Sequence, residues 1–393
     1  MRKTIYLDNG ATTMLDPKVV EAMRPCFTEQ YGNASSTHEY GRDAKDLLER
    51  SRGTIAKTIN ASPDEILFTS GGTESNNLAI KGVAYANQKK GKHLITTKVE
   101  HKCVMESCRW LESQGFKVTY LDVDSEGFVS PEALERAITK ETVLFSVIHG
   151  NNEIGTIQDL AALGMVCKKH NVLFHTDACQ SYTKTALDVK KQHLDLVTLN
   201  AHKLHGPKGV GALYVRRGVA ISPWQHGGGH EKGNRGGTEN IPGIVGFAVA
   251  AKLAMDEKHR KQMTKLRDKL IDNVLKIPGV TLNGPRGERR LCNNANFSFA
   301  GVEGEAIGGL LDAKGVCSST GSACSAHSLE PSYVLLAIGL THEQANGSLR
   351  LTLSRFTTEE EIDSTVKVLP EIVEKLRRIS PFGKLIDKVL SKV

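Results

Sequence analysis

The sequence predicts an α/β protein, and two observations carry the prediction. From about residue 60 to 215, short β-rich runs alternate with helical patterns. The runs are near-continuous Val/Ile/Leu/Phe/Thr rather than alternately apolar and polar. Strands read this way when helices cover both faces of a mostly parallel sheet, and the repeated strand–helix order sets the class. In order the expected strands are residues 65–69, 93–97, 117–122, 142–148, 172–175, 196–199 and 212–215. Beyond Val215 the pattern changes to a glycine-rich segment, with Gly227-Gly228-Gly229 and more glycines across 233–237. A helical stretch is expected over 242–277, where Leu266, Leu270, Ile271 and Val274 share one face and Pro278-Gly279 ends it. The remainder reads as a smaller α+β unit with strands near 296–299 and 348–353. Its helix, 358–379, has Glu359, Glu360 and Glu361 in the first turn and Arg377 and Arg378 in the last, matching the helix dipole.

Composition narrows the function classes. The chain has 393 residues, of which 24% are charged and 39% hydrophobic, and the formal charge is +7. That balance excludes a wholly disordered chain. No apolar run approaches the roughly 18–20 residues of a membrane-spanning helix. Met1-Arg2-Lys3-Thr4-Ile5-Tyr6 passes into strand-like sequence without an apolar signal core, so a cytoplasmic location with no membrane partner is expected. Eight cysteines, none in a CxxC pair, do not form a disulfide scaffold. The spacings Cys103–Cys108 and Cys317–Cys324 do not form a zinc ligand set, so no metal is expected. Basic clusters at 258–269 and 375–392 lie in helical patterns and read as solvated faces. Nucleic-acid binding would need aromatic interleaving or a known module; neither is present, so no direct nucleic-acid partner is expected.

Five segments carry candidate chemistry. In Phe68-Thr69-Ser70-Gly71-Gly72-Thr73-Glu74-Ser75, a strand runs through a glycine pair into a helix start. Free N–H groups there can hold a phosphate, although an ordinary capped turn would look similar. In Phe174-His175-Thr176-Asp177-Ala178-Cys179-Gln180, a carboxylate follows a buried strand at the sheet's carboxyl edge, where α/β folds bind ligands; a helix cap is the plain alternative. In 198–209, Lys203 lies at a strand end before Gly206-Pro207. A lysine confined there can have the depressed pKa that carbonyl chemistry requires, whereas an exposed loop lysine would not. In 318–328, small uncharged residues surround Cys324, which reads as an accessible thiol on a mobile loop rather than a buried inert one. In 349–356, Arg350 and Arg355 share a strand-like run, and either could clamp a carboxylate bidentately or be mere surface charge.

Taken together, these segments resemble the pyridoxal-phosphate-dependent cysteine desulfurases of the NifS/IscS group, in the class-V aminotransferase family of fold-type I enzymes. The resemblance runs from Tyr6-Leu7-Asp8-Asn9 to Arg355-Phe356-Thr357-Thr358-Glu359-Glu360-Glu361-Ile362-Asp363. It implies a large domain (16–256) that binds pyridoxal 5'-phosphate and a small one (1–15 with 257–393) that carries Cys324 and Arg350. Lys203 corresponds to the lysine that bonds the cofactor aldehyde, and Asp177 to the partner of the pyridinium nitrogen. Gln180 and Asn152 would contact the ring's phenolic oxygen and neighbouring substituents. His101 would stack on the ring face and shuttle protons. Gly72, Thr73, Asn200 and His202 would hold the phosphate, and Thr238 would reach the phosphate of a partner subunit in a homodimer. Arg350 would bind the substrate carboxylate.

The implied reaction takes sulfur from L-cysteine, giving L-alanine and a persulfide on Cys324. An iron–sulfur scaffold or another sulfur-acceptor protein would then receive the sulfur. Whether Cys324 also donates an iron–sulfur ligand in a complex is left open by the sequence. Five positions depart from the family pattern: Gly10 within Asn9-Gly10-Ala11-Thr12-Thr13, Gly72 where Ala is common, Asn200 where Ser is usual, Gly236 where Ser is commoner, and Ser354 where glycine is usual. Two other readings share many of these residues: a selenocysteine lyase, and a fold-type I lyase or aminotransferase that has no need of Cys324. A non-catalytic scaffold would need neither Lys203 nor Cys324.

Overall fold

The computed structural model describes residues 4–321 and 330–379. Its centre is a seven-stranded sheet in the order Ile66–Thr69, Gly211–Val215, Leu196–Asn200, Leu173–Asp177, Thr142–Ile148, His93–Thr97, Lys117–Leu121. Only Gly211–Val215 runs against its neighbours, so the sheet is mostly parallel, as the apolar runs require. Buried clusters pack on both faces. One contains Phe145, Phe174, Val197 and Phe247; the other contains Leu94, Leu144, Leu196 and Leu213. A strand with apolar side chains on both faces has no solvated side, which is why period-2 alternation is missing. This is the fold-type I α/β architecture.

A second core gathers Leu7 with residues from Leu266 onward. It surrounds a three-stranded antiparallel sheet, Val280–Leu282, Asn294–Phe299 and Ser348–Thr352. Ile5–Tyr6 leaves the N-terminus to pair with Val316–Cys317.

Two expectations need adjusting. The helical stretch expected over 242–277 is two helices, Ile241–Ala254 and Glu257–Val274. The Asp256 side chain accepts from Lys258 N at 2.9 Å and starts the second helix, an N-cap signal inside a continuous-looking pattern. The strand expected over 172–175 reaches Asp177, and that expected over 196–199 reaches Asn200. Polar residues at the ends of buried strands look like loop in sequence. Here the ladder extends through them, so both point from the last rung of the sheet. The final helix, Glu359–Ile379, starts as expected, with Thr358 and Glu361 capping each other's backbone N–H groups.

Candidate active site

The parallel strands deliver their carboxyl ends to one edge, and the expected residues collect there around a cavity of about 230 Å³. The helix Gly72–Asn87 follows the strand Ile66–Thr69 and opens toward the cavity with Gly72 and Thr73. Gly71 has φ 152°, a backbone shape that favours glycine. His101 caps the helix Lys102–Ser113: its Nδ1 accepts from Cys103 N at 3.3 Å and lies 3.0 Å from Cys103 Sγ. Asp177 Oδ1 accepts from Cys179 N at 2.9 Å, and Oδ2 accepts from Asn76 Nδ2 at 2.7 Å. The carboxylate is therefore fixed by its own turn and by the facing helix, and it does not cap a helix. Asn152, Gln180, Asn200, His202, Lys203 and Arg350 also line the cavity.

The N-terminal segment crosses this edge. Gly10 N donates to Thr352 Oγ1 at 2.7 Å, and Thr13 N donates to His202 O at 3.1 Å. That path brings the Gly10 and Ala11 carbonyls to Lys203 Nζ, which donates to both, to Ala11 O at 2.6 Å. Burial lowers the Lys203 pKa to about 8, and the Arg350 and Lys184 cations push the same way. Burial, followed by the neighbouring Lys203 charge, lowers the His202 pKa to about 4, so its imidazole is neutral at pH 7.

The two arginines separate clearly. Arg350 Nη1 donates to Asn152 O at 2.9 Å and Nη2 pairs with Asp8 at 3.2 Å, while Nε has no partner. Arg355 does not line this cavity; its guanidinium binds Asp16 at 2.6 Å. Thr238 lies on the surface and does not line the cavity of its own chain. Its segment is held by Arg235, which pairs with Glu74 at 2.8 Å in the first turn of the helix Gly72–Asn87. Cys324 lies outside the described residues.

Sequence reasoning missed Asn76, Cys103 and Cys179, all of which line the cavity. Asn76 sits one helical turn beyond Gly72, and Cys179 sits two residues beyond Asp177, so spacing from those positions could have found both. The backbone carbonyls that hold Lys203 leave no such signal.

Several features fit pyridoxal phosphate. The buried Oδ1 atoms of Asn76, Asn152 and Asn200 and Nε of Arg350 lack partners, and all four residues line the cavity. Beside them lies a glycine-lined helix start facing a second, open space of about 430 Å³. Two of the glycine departures also have a local cause. A Cβ on Gly236 would lie 2.6 Å from Gly227 Cα, and one on Gly10 would lie 3.1 Å from Thr352 Cγ2.

An anion cradle, a buried amine and a carboxylate on the carboxyl edge of such a sheet define a fold-type I transferase. The chain belongs to the class-V aminotransferase family, whose model matches residues 5–365. It is 51% identical over 381 residues to a protein named cysteine desulfurase IscS from Methanosarcina thermophila, covering 96% of this chain and 94% of that one. A cysteine desulfurase IscS from Dictyoglomus turgidum is 52% identical over 385 residues, covering 97% and 98%. Among solved structures, a NifS-like protein superposes with a TM-score of 0.90 at 40% identity, covering 95% of this chain and all of that one. A structure described as SspA in complex with cysteine superposes with a TM-score of 0.81 at 38% identity, covering 90% and 100%.

Proposed function

We propose that this protein is a pyridoxal-phosphate-dependent cysteine desulfurase. The observation that carries the reading is the convergence of Lys203, Asp177, His101 and Arg350 on one cavity. The names of its relatives support the same substrate. In this reading Gly72, Thr73, Asn200 and His202 hold the phosphate, and Asn152 and Gln180 contact the ring substituents. When bound, the cofactor supplies an electron-poor ring that draws electrons from the substrate Cα. Asp177, fixed by two donors, would hold the ring nitrogen, and His101 would lie against the ring. Arg350 orients the substrate carboxylate. Burial lowers the Lys203 pKa to about 8, so near neutral pH a useful share of its amine is uncharged and able to take the Cα proton.

Cys324 thiolate then bonds to the substrate sulfur as the C–S bond breaks, which leaves alanine and a persulfide. Ser319 supports this role, because it pairs with Arg350 through two backbone hydrogen bonds of 3.1 and 2.6 Å. The chain therefore enters the 322–329 segment from beside the arginine of the cavity. The persulfide passes to an acceptor protein, such as an iron–sulfur scaffold. The same reading divides the chain into a cofactor-holding unit, 16–256, and a smaller unit of 1–15 with 257–393, supported by the packing of Leu7 in the C-terminal core. A homodimer is proposed from the exposed Thr238 and from the solvent-facing aromatics Phe27, Tyr31 and Tyr40.

The test supplies L-cysteine and a reductant to wild type and to Cys324→Ala, then measures alanine and sulfide. Equimolar alanine and sulfide from wild type, with alanine lost in the variant, is the expected result. Undiminished alanine release from Cys324→Ala refutes the nucleophile role, and turnover of selenocysteine alone would make the enzyme a lyase.

A further inference from the structure

Cys179 belongs to none of the roles assigned above, yet it lines the cavity between Gly72 and Asp177. Its backbone N–H donates to Asp177 Oδ1 at 2.9 Å. A Cβ built on Gly72 would lie 2.5 Å from Cys179 Sγ, closer than real atoms approach. The same Cβ would be 3.9 Å from Cys179 Cβ and 3.7 Å from Asn200 Nδ2, both ordinary contacts. Of these contacts only the sulfur is too close, so a side chain at position 72 would require the thiol or the helix start to shift. Gly72 is the first residue of the 16-residue helix whose N-terminus faces the phosphate site, and Asp177 ends the strand beside it. One short side chain thus packs against the turn that would hold the phosphate while its own N–H orients the carboxylate that would hold the ring nitrogen.

We propose that Cys179 is a positioning residue of the cofactor site, its thiol filling the space beside Gly72 and setting the spacing between the phosphate turn and Asp177. The proposal rests on the cofactor reading above. It deepens that reading by coupling Gly72 to Cys179: a side chain at position 72 is acceptable only where the thiol at 179 is absent. A thiol hangs on a single rotatable bond and has no long arm to withdraw. Relief of a clash must come from turning into the cavity or from shifting the helix start, and either disturbs the cofactor's place. Burial and the adjacent Asp177 carboxylate hold the thiol pKa well above its usual value, so it acts as a neutral packing group.

The test compares four holoenzymes: wild type, Gly72→Ala, Cys179→Ala and the double variant. Pyridoxal phosphate affinity is measured by equilibrium titration of the visible band. The phosphorus-31 resonance of the bound phosphate reports the turn, and the thermal midpoint of each cofactor-free protein reports folding. Gly72→Ala is expected to weaken cofactor affinity by about tenfold or more and to move the phosphorus resonance, because overpacking a well-fitted site is costly. Cys179→Ala should weaken affinity by less than Gly72→Ala does, and the double variant should recover most of the Gly72→Ala loss. If Gly72→Ala does not fold, restored folding in the double variant supports the pairing equally, and continued failure to fold overturns it. A Gly72→Ala protein that binds as tightly as wild type, or a double variant as weak as Gly72→Ala, also overturns the pairing. A wild type that binds no pyridoxal phosphate overturns the cofactor reading itself, and the proposal with it.

Discussion

Lys203 offers the sharpest quantitative test. An ordinary lysine, with a pKa near 10.5, is about 0.03% neutral at pH 7; one at about 8 is about 9% neutral. Confinement therefore raises the reactive amine fraction roughly 300-fold, and burial is its main cause. The assay mixes cofactor-free protein with pyridoxal phosphate and follows the visible band across pH 6–10 by stopped flow. The logarithm of the capture rate should climb with pH and bend to a plateau near pH 8. Arg350→Met removes a cation that disfavours the charged amine, so its bend should move to higher pH. Lys203→Arg should show no band. A wild-type rate that climbs without a bend beyond pH 9.5 would show that the amine is ordinary, and burial would no longer account for its reactivity.

Three further outcomes follow from the geometry. Arg350→Ala should lower kcat/KM for cysteine about 10- to 150-fold, the worth of one charge-assisted hydrogen bond at roughly 1.5–3 kcal/mol, with most of the change in KM; an unchanged KM would remove Arg350 from substrate binding. Glu231 lies in the glycine-rich segment and accepts from Arg52 at 2.7 and 2.9 Å and from Phe68 N at 2.9 Å. Glu231→Ala leaves the buried Arg52 guanidinium with only the half-exposed Glu49 carboxylate and the Ile66 carbonyl as partners, so denaturant unfolding should show about 3 kcal/mol lost; a loss below about 1 kcal/mol would contradict the burial of the pair. Buried Lys184, whose ammonium donates to Gln180 O at 2.9 Å, has its pKa lowered to about 8, mainly by desolvation. Between pH 8 and 10.5 the unfolded state binds more protons than the native state at this site. The Lys184 contribution to stability should therefore rise with pH across that window by about 3 kcal/mol. Subtracting the Lys184→Met curve from that of wild type should isolate the rise, and a flat difference would refute it.

The sheet strands and most of the site were legible in the chain, for a physical reason. A strand covered by helices on both faces needs apolar side chains throughout, so the buried runs announce themselves, while the edge strand Lys117–Leu121 is only partly buried. In the proposed function, the glycine pair before Thr73, the lysine before Gly206-Pro207 and the acid after Thr176 are local solutions to holding a phosphate, an amine and a ring nitrogen. Local solutions leave local traces. What separates Arg350 from Arg355 is not local. Both sit on one strand-like run, and only packing against Asp16 withdraws the second from the cavity. The Gly10 and Ala11 carbonyls reach Lys203 across nearly 200 residues of chain, and backbone atoms carry no sequence signature. The fit of the Cys179 sulfur beside Gly72 is likewise a matter of ångströms between elements that no periodicity records. Residue pattern alone thus determined most of the sheet and pointed to Asp177, Lys203, Cys324 and the two arginines. Tertiary packing decided which groups face the cavity and at what pKa, because burial and charge proximity depend on distances through space rather than along the chain.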